Sequence, residues 1–201
     1  MLRDAEAAYW GHVARDIKLA DGEIVDNIWK RQALVRRLLD YNWIGEVVLE
    51  IGVGGGLTAA VLNLLTLGRM SYLGTDVAPE FCEYANRRWR FQMVMADVTS
   101  IPAEPAQFSR ILAFDTLEHV LPEDREAGNK EIGRLIVPGG LVILNIPCDE
   151  SGHQDEFDHG YTREDTEKLA KDADLKFVRW EPYSVDTPGM LLHYVFAVLQ
   201  R

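Results

Sequence analysis

The sequence predicts a doubly wound α/β domain: a seven-stranded, mostly parallel sheet covered by helices on both faces, with an antiparallel C-terminal strand. Three observations predict it. Short apolar runs alternate with helical patterns along most of the chain. One of these runs, Val47–Ile51, leads straight into Gly52, Gly54, Gly55 and Gly56 and then into a stretch rich in Leu and Ala. Near the end, two apolar runs are joined by the turn Thr187-Pro188-Gly189. Strands alternating with helices imply βαβ units, a sheet buried on both faces, and ligands bound at the carboxyl ends of the strands.

Taken in order, the first pattern is helical. Between Glu23 and Tyr41, the residues Ile24, Ile28, Leu34, Val35, Leu38 and Leu39 recur at roughly helical spacing, with Lys30, Arg31, Arg36 and Arg37 between them. This is an amphipathic helix, and Gly45 marks the turn after it. Val47–Ile51 follows as a buried strand, and residues 57–67 as a helix. Further strands are expected at Tyr72–Thr75, Gln92–Ala96, Arg110–Phe114, Leu141–Ile146, Lys176–Trp180 and His193–Leu199. Thr162 and Asp165 form a capping-box pattern, with Asp in place of the usual Glu, that starts a helix running to about Asp172. The tight turn at Thr187-Pro188-Gly189 makes the last strand an antiparallel hairpin. No internal repeat or low-complexity segment occurs.

Composition narrows the function. The 201 residues fit one domain, and no Ser-, Pro- or Gly-rich linker divides them. Lysine plus arginine number 21 against 32 aspartate plus glutamate, and the resulting charge of −11 repels a phosphate backbone, so no nucleic-acid partner is expected. The opening MLRDAEAAYWG lacks the apolar core of a signal peptide, and no apolar run has membrane-spanning length. A cytoplasmic protein with no membrane partner is the expectation. Cys82 and Cys148 show no zinc or disulfide spacing and are expected to be reduced thiols.

The glycine run carries the first chemistry. Glycines remove the Cβ and permit positive φ, so a ligand can lie against the main chain beside a helix amino terminus. A dinucleotide fingerprint needs glycine at its first, third and sixth positions, and the sixth position counted from Gly52 is Leu57. The order here, Glu50-x-Gly52-x-Gly54-x-Gly56, resembles instead the first motif of class I S-adenosylmethionine-dependent methyltransferases. In that family the glycine loop passes beneath the methionine part of the cofactor, and the acidic residue, here Glu50, helps orient its amino group.

A second apolar strand ends at Asp76-Val77. A carboxylate there accepts hydrogen bonds from both ribose hydroxyls, which suits NAD and S-adenosylmethionine equally. The third strand ends at Asp97-Val98, similar to the motif whose Asp receives the adenine amino group; a local turn is the plainer role for this Asp. Asp115-Thr-Leu-Glu118-His119-Val120 resembles the fourth family motif, and Leu135 to Leu144, with Pro138-Gly139-Gly140, resembles its helix, turn and next strand. These resemblances cover residues 47 to about 147 in the expected order. They imply a Rossmann-like methyltransferase fold over residues 1–201, with lid or cap helices in 1–45 and the cofactor-binding core and substrate loops in 46–201. They also imply an S-adenosyl-L-methionine cofactor held by Glu50, Gly52, Gly54, Gly56, Asp76, Val77, Asp97, Val98 and Asp115. The implied reaction moves a methyl group to an O, N or C nucleophile of a small molecule. An NAD-dependent oxidoreductase and a non-catalytic S-adenosylmethionine-binding module are the alternatives.

The acceptor side has several candidates. His119 follows the fourth strand within one helical turn and is the candidate general base, since an imidazole exchanges protons near neutral pH; a helix-terminal histidine satisfied by Glu118 or Asp115 is the competing reading. His153, Asp155, Asp158 and His159 lie together after the fifth strand. They could hold a divalent ion, but spacing in a loop fixes no geometry, so no metal is expected. His153, His159 and Tyr161 are instead expected to contact the acceptor. Tyr9 is expected to do so from the amino-terminal helices, where it and Trp10 are lid aromatics or a packing anchor. Pro147-Cys148 is like the nucleophile pair of cytosine methyltransferases but follows the fifth strand rather than the fourth, which leaves Cys148 an ordinary thiol.

Overall fold

A computed structural model describes residues 2–19, 28–148, 157–187 and 190–201. The chain order is α1 (Leu2–Leu19), α2 (Ile28–Leu38), β1 (Val47–Ile51), α3 (Leu57–Leu65), β2 (Ser71–Asp76), α4 (Pro79–Trp89), β3 (Gln92–Met95) and β4 (Phe108–Phe114). A single 3-10 turn (Leu117–His119) is followed by α5 (Arg125–Leu135), β5 (Ile136–Pro147), α6 (Arg163–Asp172), β6 (Lys176–Thr187) and β7 (Met190–Gln200). The strands form one sheet in the order β3-β2-β1-β4-β5-β7-β6. β1 to β5 are parallel, and β7 lies antiparallel between β5 and β6, as the hairpin expectation had it.

Alternation along the strands builds the two layers. Ile111, Ala113, Val142, Leu144 and Ile146 face one side and meet Ile132 and Leu135 of α5 and Leu169 of α6. Leu112, Phe114, Ile143, Phe196 and Val198 face the other and meet Leu34 and Leu38 of α2 and Leu62 of α3. Each fully buried Leu, Ile or Phe contributes roughly 1.5–3 kcal/mol, so the two faces together hold the sheet between its helices. The strand order reverses between β1 and β4, and their carboxyl ends therefore border the crevice where ligands of such sheets bind.

Several boundaries depart from expectation. The helix read over residues 23–41 ends at Leu38, while residues 23–27 lie outside the described residues. β5 starts at Ile136 rather than Leu141, with Pro138-Gly139-Gly140 inside it as a bulge, because the register jumps between the pairs Phe108–Ile136 and Arg110–Leu141. Gly139 takes φ 78°, and its N–H donates to the Arg201 carbonyl at 3.0 Å, which stitches the bulge to the chain end. β6 and β7 run longer than their apolar runs because pairing continues to Thr187–Met190. Pro182 is tolerated in β6 because that strand is at the sheet edge. By contrast, the capping box holds: the Thr162 hydroxyl accepts from Asp165 N, and the Asp165 side chain accepts from Thr162 N.

Candidate active site

The glycine loop is shaped by the end of β4. The Gly52 and Val53 N–H groups donate to the Thr75 carbonyl at 2.8 and 3.1 Å, so the loop leaves β1 bent toward β2. Gly52, Gly54 and Gly56 take φ of 70°, 52° and 74°, which explains glycine at each. Their surroundings differ. A Cβ on Gly52 would collide with the Thr116 side chain, whose hydroxyl is bonded to the carbonyls of Ile51 and Phe114, whereas a Cβ on Gly54 would meet nothing within 4 Å. Gly52→Ala is therefore expected to destabilise the fold by about 2–5 kcal/mol through overpacking plus strain. Gly54→Ala should cost about 1–3 kcal/mol by strain alone while intruding on the space a ligand would take. Denaturant unfolding of both variants checks the order; equal losses would contradict it.

Two carboxylates flank the loop. Glu50 is buried, and Oε2 accepts the Tyr72 hydroxyl at 2.8 Å. Burial, then the nearby negative Glu50, holds that phenol well above its usual range. Asp76 closes β2 and is 7% exposed. Its Oδ2 accepts from Gly54 N and its Oδ1 from Ala78 N, both at 2.9 Å, so one carboxylate ties the glycine loop to the start of α4. Burial pushes its pKa up to about 6, partly offset by backbone N–H groups of Ala78, Gly54 and Val77. Further along the same edge, Asp97 Oδ1 accepts from Thr99 N at 2.8 Å and from the Thr99 hydroxyl at 2.7 Å, forming a local Asx turn, while Val98 is buried in the core.

Asp115 follows β4 in a left-handed conformation (φ 52°). Asn145 donates to its Oδ1 at 3.0 Å, and the Tyr183 hydroxyl donates to the Asn145 Oδ1 at 2.6 Å. The Arg37 guanidinium sits 3.6 Å over the Tyr183 ring. This chain of polar groups was not read from the sequence. Asn145 gave a signal, as the one amide inside the apolar run Leu141–Ile146, but Tyr183 and Arg37 reach it only through strand and helix packing.

The 3-10 turn then presents Glu118 and His119. His119 Nδ1 lies 3.2 Å from the Phe157 carbonyl and donates to it in the neutral ring, which puts the lone pair on Nε2, 3.7 Å from Glu118 Oε1. Glu118 is 2% exposed, and burial, then repulsion from Asp115, raises its carboxyl well above the usual range. Helix α1 covers this edge. Trp10 packs edge-on against His119 at 4.8 Å, Tyr9 meets Trp10 at 5.0 Å and Phe157 at 4.9 Å, and Arg15 pairs with Glu80 at 2.5 Å. Trp10, Phe157 and Glu118 thus join His119 and Tyr9 here; only the fold reveals that residues near 10, 119 and 157 meet.

The remaining acceptor candidates separate. The exposed His159 donates its N–H to the Glu118 carbonyl at 2.9 Å. Tyr161 is buried in the core beneath Arg125, with its hydroxyl 3.5 Å from the Asp165 carbonyl, so it anchors the segment behind His159. His153 and Asp155 lie outside the described residues. Among the described residues, no three His, Cys, Asp or Glu side chains form a metal-binding group. Cys148 is half-buried, and its N–H donates to the His193 carbonyl at 2.9 Å.

Comparison with known proteins agrees with this geometry. Residues 49–144 match the family model described as a methyltransferase domain. The ribosomal protein L11 methyltransferase of Geobacter metallireducens is 30% identical over 49% of this chain and 31% of its own length. The ubiquinone/menaquinone biosynthesis C-methyltransferase UbiE of Geotalea daltonii is 27% identical over 60% of this chain and 52% of its own. The chain therefore spans a third to a half of these curated relatives. A crystal structure described as a SAM-dependent methyltransferase of Methanosarcina mazei superposes with TM-score 0.70 at 17% identity, covering 82% of this chain and 96% of the other. With the glycine loop and the ends of β2 to β4 inside the matched stretch, residues 49–144 carry a methyltransferase domain, and the fold around them is shared with S-adenosylmethionine-dependent methyltransferases.

Proposed function

We propose that this protein transfers a methyl group from S-adenosyl-L-methionine to an oxygen, nitrogen or carbon nucleophile of a small molecule in the cytoplasm. The observation that carries the reading is the glycine loop drawn onto buried Asp76 at the strand-order reversal, with open space at Gly54 and with Asp115 and His119 across the crevice. When bound, the cofactor supplies an electrophilic methyl on a sulfonium whose sulfur leaves as a neutral thioether. Gly52, Gly54 and Gly56 would let the main chain approach it, Glu50 and Asp115 would hold its methionine end, and Asp76, with Val77 beside it, would accept the ribose hydroxyls. Asp97 would border the adenine, with Val98 packed in the core behind it. Methyl transfer needs little covalent help, so the chain's main task is to hold the acceptor in line with the S–CH₃ bond.

On the acceptor side, His119 Nε2 would take a proton from an acceptor that arrives protonated, with Tyr9 and His159 at the same edge and Tyr161 anchoring the segment behind His159. A small acceptor is supported by the closure of Trp10 over His119, whose side chain is 14% exposed. Helix α1 serves as the lid, and α2, with Leu34 and Leu38 against the sheet, packs with residues 46–201 in the core. Among the described residues, no helix is long and apolar enough to cross a membrane. Calorimetric titration tests the reading. S-adenosylhomocysteine should bind and NAD should not, and a panel of small acceptors should give turnover; NAD binding in place of S-adenosylhomocysteine would replace it with the oxidoreductase alternative.

A further inference from the structure

We propose that the acceptor side recognises a cationic nitrogen, an alkylated or protonated amine on the methyl acceptor, with Glu118 as its counter-charge and the Trp10 and Tyr9 rings as its wall. This rests on the methyltransferase reading above. The first observation is an unmade bond. Glu118 Oε2 is buried and has no hydrogen-bond partner among the described residues, while the carboxyl receives main-chain hydrogen bonds from Thr116 and Glu118 and its Oε1 stands 3.7 Å from His119 Nε2. Buried carboxyl oxygens are rarely left this way unless a ligand or an ordered water completes them.

The charge around it has one sign. Asp115 and Asp158 are the acidic groups acting on Glu118, and all three lie on the same edge. Arg125, on the same side of the sheet, is already engaged: it donates to the carbonyls of Val120 and Gly160 and pairs with Asp165 at 3.1 Å. A positive ligand would therefore meet three carboxyls whose described hydrogen-bond donors are neutral: Asn145 for Asp115, the Gly160 N–H for Asp158 and main-chain N–H groups for Glu118. The second, independent observation is aromatic. Phe157, Tyr9 and Trp10 form a continuous series of ring contacts that ends on His119, the neighbour of Glu118. Aromatic faces beside a carboxylate attract alkylammonium groups through cation–π contact, and they offer nothing to a strongly hydrated metal ion. The lack of a three-ligand metal group among the described residues also favours an organic cation.

The test uses the full chain loaded with S-adenosylhomocysteine and titrated with choline or with dimethylbutanol, its uncharged carbon isostere. Choline should bind at least about tenfold more tightly than dimethylbutanol, and Glu118→Gln should abolish that preference. Trp10→Leu should weaken choline several-fold and leave dimethylbutanol nearly unchanged, which keeps the proposal testable if Glu118→Gln fails to fold. Equal binding of the two probes would overturn the assignment, as would an unchanged preference in Glu118→Gln, or binding of magnesium chloride but not choline. S-adenosylhomocysteine is titrated first. Its failure to bind would overturn the methyltransferase reading itself, whereas its binding without discrimination between the probes would overturn only the cation assignment.

Discussion

His119→Ala is expected to lower turnover by roughly 10²–10⁴-fold, with S-adenosylhomocysteine affinity and melting temperature near those of the parent protein. The magnitude is that of a lost general base. Its basis is the Phe157 carbonyl bound at Nδ1, which fixes the tautomer and leaves Nε2 as the basic atom on the side of Glu118. The Trp10 ring holds the imidazole from the other direction, so the geometry is set before an acceptor arrives. Steady-state kinetics with an acceptor identified from the panel provides the check. A variant that retains full turnover would remove His119 as the base and make His159 or His153 the next candidates. A variant that melts much earlier would show that the imidazole serves mainly to pin Phe157 and α1.

Asp76→Ala should weaken cofactor binding by roughly 10²–10⁴-fold, since two charge-assisted hydrogen bonds of about 1.5–3 kcal/mol each are removed. The same carboxylate also accepts from Gly54 and Ala78, so part of the loss will come from a loosened glycine loop. Asp76→Asn, which keeps one acceptor oxygen, should fall between the two. An unchanged dissociation constant in a folded Asp76→Ala protein would sink the assignment. The pKa adds a pH signature. Its native value of about 6 lies above the roughly 3.9 of an unfolded aspartate, so the native state holds the extra proton between those values. That proton stabilises the free protein below about pH 4, and the stabilisation, about 3 kcal/mol, is lost as pH rises through about 6. Binding has the opposite slope. Ribose hydroxyls are better donors to the ionised carboxylate, so cofactor affinity should fall as pH drops below about 6, and calorimetry from pH 5 to 8 should show it.

The alternation of strands and helices, the glycine loop and the acidic strand ends were all legible in the sequence because each is local. A strand buried on both faces has to be apolar throughout, as Val47–Ile51 is apart from Glu50, and a turn at positive φ selects glycine within a few residues. The capping box at Thr162 and Asp165 was legible for the same reason. Strand lengths were less so. The β6 and β7 ladder outruns its apolar runs because backbone pairing, not side-chain burial, carries an edge hairpin to its turn. The acceptor side could not be read at all beyond single candidates. Its contacts join α1, the 3-10 turn after β4 and the segment after β5, residues as distant in sequence as Tyr9 and Phe157 that meet because parallel strands bring all their carboxyl ends to one edge. A sequence can show that Glu118 and His119 follow a strand. Whether Glu118 Oε2 lies buried without a hydrogen-bond partner among the described residues, and whether Trp10 packs edge-on against His119, depends on how a helix from the other end of the chain crosses that edge, and packing between distant elements settles such a contact.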